Sequence, residues 1–118
     1  MYKISDLLSE TNDVSDQIWF VQSFDVTERT DASVSLRLYI REDFFIQVFL
    51  GELSDSLYFA LISGNQRIFG IDRECGEWHT HPYRNPHEHE PLSESLEPKP
   101  LSTFLSRVEK LIFEHDLL

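Results

Sequence analysis

The chain reads as an α+β protein: an antiparallel sheet of about five strands, a C-terminal helix packed on one apolar face, and a long histidine- and proline-rich loop. Three observations carry that reading. Residues 17–72 alternate apolar and polar side chains, with short polar breaks between the runs. Residues 101–118 carry an apolar stripe at helical spacing. Between them, residues 73–100 hold all five prolines and four of the five histidines. At 118 residues, 41% of them hydrophobic, the chain can bury one sizeable core, and residues 1–118 are expected to form a single domain.

The elements follow in order. Ser5, ahead of DLLSE, offers a hydroxyl that can cap a short N-terminal helix, whose apolar stripe extends over one turn. Ile18, Phe20, Gln22, Phe24 and Val26 alternate with their neighbours and predict a first strand, closed by the polar turn ERTDA. Val34, Leu36, Leu38 and Ile40 form the cleanest period-two pattern, with Arg37, Tyr39 and Arg41 on the other face. After a turn at Arg41-Glu42-Asp43, FFIQVFL (44–50) is apolar on both faces, as a mid-sheet strand would be. SLYFALI (56–62) is a fourth strand, Gly64-Asn65 a tight turn, and Arg67 to Asp72 a fifth strand. Breaks this short favour an antiparallel meander, because parallel crossovers need about a dozen residues. In the last segment Leu101, Phe104, Leu105, Val108, Leu111 and Ile112 share one helix face, Ser102 or Thr103 can cap it, and His115 suits the C-terminal dipole. The expected core is Phe20, Leu36, Leu38, Phe44, Ile46, Val48, Phe59, Leu61, Phe69, Phe104, Leu105, Val108 and Ile112.

Charge excludes one large class of functions. Ten Lys and Arg against 21 Asp and Glu leave a formal charge of −11. Such a field repels polyanions and argues against a general nucleic-acid binder that works by counterion release. A nuclease with a local basic patch survives this test, as does a protein that binds a basic partner. No run of about 18 apolar residues points to a membrane span. The first residues lack a basic start followed by an apolar stretch, and the one cysteine, Cys75, fits a reducing compartment; a cytoplasmic location is expected.

His79, His81, His87 and His89 form two His-x-His pairs. Residues i and i+2 of an extended segment point the same way, so each pair can present two imidazoles together. Neutral imidazole nitrogens bind zinc and similar divalent ions, which makes these four the candidate metal ligands, with Asp72, Glu77, Glu88 and Glu90 as further ligands or orienting partners. The plain alternative is that histidines in a loop point into water. The same rings can work without a metal: one imidazole as base and another as acid suffice for cleaving RNA through its 2′-hydroxyl, given a cation for the phosphate. On that reading His79, His81, Arg67 and Asp72 are the candidate catalytic residues, with Arg73, Arg84, Arg37 and Arg41 as further cations. Exposed arginines balancing an acidic chain are the simpler account of most of these. Trp78 and Tyr83 are expected to anchor the loop to the core rather than to stack on bases. Cys75 lies between glutamates, which oppose a thiolate, so it is not expected to be a nucleophile.

Strands ending in RIFGID, then WHTHPYRNPHEHEP, then a C-terminal helix, resemble the TumE-type toxins of bacterial toxin–antitoxin modules; the likeness covers about residues 33–115. It implies a small α+β toxin acting on RNA, an antitoxin partner, and positional equivalents at Asp72, His79, His81, His87 and His89. Two other expectations stand beside it. One is a non-catalytic acidic module that binds a basic protein. The other is a homodimer in which strand 34–40 or 66–72 pairs across a two-fold axis.

Overall fold

A computed structural model describes residues 1–118. The order of elements is α1 (Ile4–Gln17), β1 (Ser23–Arg29), β2 (Ser33–Arg41), β3 (Phe44–Gly51), β4 (Ser56–Ser63), β5 (Gln66–Glu74), β6 (Glu77–His81), β7 (Glu90–Pro91) and α2 (Pro100–His115). The seven strands pair in chain order as one antiparallel sheet. The α+β class and the meander agree with the sequence reading; the strand count does not. Two strands beyond the expected five lie inside the histidine- and proline-rich stretch. Four of the five prolines fall outside the strands, leaving 77–81 free to donate to a ladder, and Pro91 sits on an edge strand, where a missing donor is tolerated.

The pleat sorts the sheet into two faces. Leu36, Leu38, Ile46, Val48, Phe59, Leu61, Phe69 and Ile71 point to one side and meet both helices. Phe104 of α2 stacks on Phe59 and Phe69 with ring centroids 5.1 and 5.4 Å apart. All thirteen expected core residues are buried in a single cluster of 26. The opposite face carries Arg37, Tyr39, Phe45, Gln47, Tyr58 and Asp72, with no helix over it.

Three local expectations are corrected. The first strand begins at Ser23 rather than near residue 17, because Val21 N–H bonds Ile18 O and both Phe20 and Val21 turn inward, which breaks the alternation. Helix α1 begins at Ile4, before Ser5; its free amides are met instead by Asp6, which accepts from Lys3 N–H, and by Glu52 of the β3–β4 turn, which accepts from Ile4 N–H. It runs for 14 residues because Glu10 and Thr11 continue its buried side as polar groups with internal partners. Strands 34–40 and 66–72 are interior, so the sheet edges are β1 and β7. No helix is long and apolar enough to cross a membrane.

Candidate metal centre

The site begins with a tight hairpin. Cys75 and Gly76 both adopt positive φ, 51° and 78°, which gives the two-residue turn whose twist matches antiparallel strands. That turn sets the β5–β6 register: Asp72 lies opposite His79 and Gly70 opposite His81. Cross-strand partners share a face, so Asp72, His79 and His81 all project from the face away from the helices. Beyond β6, Pro82 and Pro86 bracket a short loop held by Asn85 N–H to Pro82 O and Glu88 N–H to Asn85 O. The chain then returns as β7, with Pro91 opposite His79. Continued one step, that register brings His89 opposite His81.

Three imidazoles therefore converge on one carboxylate. His81 Nε2 lies 3.0 Å from Asp72 Oδ2, and His89 Nε2 lies 3.4 Å from Asp72 Oδ1. His79 Nδ1 is 3.8 Å from Asp72 Oδ1, and the His79 ring stacks on His89 with centroids 4.2 Å apart. Asp72 and His81 are buried, whereas His89 is exposed and leaves the cluster open to solvent on its side. The ligand atoms of Asp72, His81 and His89 all lie within 4.8 Å of one another, a grouping that could hold a metal ion. Tetrahedral ligands at ~2.0–2.1 Å from an ion stand about 3.3 Å apart, close to the two shorter separations. His79 Nδ1 and His81 Nδ1 are buried with no hydrogen-bond partner. An orphaned ring nitrogen 3.8 Å from a carboxylate oxygen is too far for a hydrogen bond, yet near enough for both atoms to bind one ion.

Two features make room for this geometry. A Cβ at Gly70 would meet Phe59 O at 3.0 Å, Arg67 Cδ at 3.3 Å and His81 Cδ2 at 3.6 Å, so the missing side chain lets Arg67 and His81 close over the strand. The second is an irregularity in β5: Leu61 pairs with Phe69 but Ile62 pairs with Arg67, leaving Ile68 extra. In an unbroken strand Arg67 would share the face of Phe69 and Ile71. The bulge moves it to the face of Gly70 and Asp72. Tyr58, opposite Asp72, donates its hydroxyl to Glu74, and that bond, aided by partial burial, raises the phenol above its usual pKa and keeps it protonated.

The other candidates divide by location. Arg67 donates to Pro86 O and, with Arg84 and His87, lines a cleft beside the cluster. His87 is thus with the arginines, whereas His79, His81 and His89 are with Asp72. Arg73 points to the helix side, buried between Asp55 and Glu97 at 3.0 and 2.6 Å and lying over Trp78. Arg37 bonds Gln47 and covers Phe45; Arg41 bonds Leu117 O. Trp78 is part of the core, and Tyr83 stacks on His115 at 4.3 Å, so both serve as anchors. Cys75 is exposed at the hairpin tip, Glu77 is exposed opposite Glu74, Glu88 accepts from Asn85, and Glu90 lies opposite Thr80 on the other face from His79. Gly70 and the Ile68 bulge escaped the sequence reading. A glycine inside an apolar strand pattern was the available signal, since it marks close approach of a neighbour. No protein-family model, curated protein or solved structure matches the chain.

Proposed function

We propose that Asp72, His81 and His89 hold a divalent metal such as zinc, with His79 beside them, and that the protein cleaves RNA phosphodiesters at this site. The observation that carries the reading is the convergence of these imidazoles on one buried carboxylate in a cluster open to solvent. A bound ion supplies a polarised phosphoryl oxygen and an acidified water. The chain's own residues supply the rest. Asp72 fixes the orientation of the rings. His79 is placed to accept or deliver a proton, and Arg67 offers a guanidinium to a phosphate oxygen. The likeness to TumE-type toxins makes an antitoxin the expected partner and growth arrest the cellular readout.

Calorimetric titration of zinc into the protein, beside an RNA cleavage assay with and without chelator, tests this directly. Wild type is expected to bind zinc, and Asp72→Asn or His81→Ala to lose at least about 100-fold in affinity together with cleavage. Absence of binding heat at micromolar protein, or cleavage indifferent to all four single His→Ala changes and to Asp72→Asn, would sink the assignment.

A second reading rests on a separate observation. Asp6 and Asp13 line a cleft between α1 and the segment before α2, together with Lys99 and with Asp55 and Glu97, which Arg73 pairs. We propose a basic protein segment as its occupant if the catalytic reading fails. Salt-sensitive binding lost on charge reversal of Asp6 and Asp13, and untouched by the histidine changes, would distinguish the two.

A further inference from the structure

The chain has ten cationic residues for 21 acidic ones, so an exposed arginine has carboxylates to spare as partners. Several cations take them: Arg73 binds Asp55 and Glu97, Arg107 binds Glu94, and Lys110 binds Glu114. Arg67 and Arg84 are among the seven that have no carboxylate partner. Both line one cleft of about 720 Å³ with His87, Asn65, Gln66, Ile68, Tyr83 and Pro86, and no Asp or Glu lines it. Two arginines lining one cleft, with no carboxylate among the residues that line it, suit an anion placed between them. The lining residues able to donate are Arg67, Arg84, His87, Asn65 and Gln66. Gly64 and Asn65 form a tight turn with positive φ on one side, and Pro82, Pro86 and their two loop hydrogen bonds hold Arg84 and His87 on the other. The Arg67 guanidinium is tied to Pro86 O at 3.2 Å, and its stem lies against Gly70 next to His81. One side chain therefore joins the cleft to the Asp72 cluster.

We infer that this cleft is a phosphate subsite: it takes a phosphodiester of the substrate strand that flanks the one at the metal centre. The link to substrate rests on the function proposed above; the affinity for phosphate does not. Amide chemical shifts of residues 65–68, 83–85, 87 and 88 in the chelator-treated, ¹⁵N-labelled chain provide the readout. Inorganic phosphate at about 10 mM is expected to move them, beyond the change caused by sodium chloride at matched ionic strength. Arg84→Gln, at an exposed position, is expected to weaken phosphate binding at least about fivefold, and Arg29→Gln on the distant edge strand to leave it unchanged. A short 2′-O-methyl oligoribonucleotide is expected to move the same amides and to be competed by phosphate. Shifts no larger than those with chloride, or an Arg84→Gln chain that binds as wild type does, overturn the subsite. Phosphate binding with no response to the oligonucleotide overturns its assignment to substrate in favour of free phosphate. A protein that binds phosphate here but neither takes zinc nor cleaves RNA loses the proposed function and keeps this cleft. One that cleaves RNA with no phosphate response keeps the function and loses the cleft.

Discussion

At the scale of single residues, Gly70 and Tyr2 show how much can hang on one position. Gly70 admits Arg67 and His81 to the same patch of strand; a side chain there meets the backbone oxygen of Phe59 as well as both neighbours. Gly70→Val is expected to destabilise the fold by about 1–3 kcal/mol and to weaken zinc binding through displacement of His81, checked by urea unfolding and calorimetry on one preparation. Tyr2 is buried and donates to Glu10, and burial first, then that bond and the nearby carboxylates, push its phenol well above the ordinary value. A pKa raised on folding means the folded state binds the proton more tightly. Its contribution is whole below about pH 10 and is lost as pH rises past that value, where the unfolded chain releases its proton first. Stability should therefore fall above about pH 10, and less steeply in Tyr2→Phe, as read from denaturant midpoints across that range.

At the scale of elements, Glu10 does what Ser102 and Thr103 were expected to do. Its carboxylate, buried on α1, accepts from Leu101 N–H at 3.3 Å and Ser102 N–H at 2.7 Å, so one helix caps the other across 91 positions of sequence. The cap also answers the positive end of the α2 dipole. Glu10→Ala leaves those amides and the Tyr2 hydroxyl buried without a partner. It should cost about 2–4 kcal/mol, while Ser102→Ala should cost under about 0.5 kcal/mol; chemical unfolding of both variants checks the contrast. Sequence patterning alone could not find this cap, because a glutamate on a short amphipathic run reads as surface. Strand β6 was hidden for a related reason. Its turn is Cys75-Gly76, not the Asn-Gly or Asp-Gly pair that announces a hairpin, and its histidines have weak strand preference. The bulge at Ile68 left no mark either, yet it alone puts Arg67 and Asp72, five residues apart, on a common face.

At the scale of the whole molecule, the helices cover one face of the sheet and the Asp72–histidine cluster lies on the other, apart from the packed core. Zinc that binds the folded state alone should stabilise it by about 2.7 kcal/mol at 100 times its Kd, raising Tm by roughly 10 °C; Asp72→Asn should abolish the rise in a thermal scan. Local sequence determined the class of this protein, its meander and its core, because alternation at period two and spacing at period 3.6 record which side of each element meets water. It also marked the histidine stretch as the place to look. Only the tertiary structure decided which rings meet: the β5–β6 register, the return of the chain at β7 and one extra residue in β5 are long-range pairings, set by the packing of the sheet as a whole. Those pairings gathered His79, His81 and His89 at Asp72, sent His87 to the arginines, and turned Arg73 inward to the carboxylates of Asp55 and Glu97.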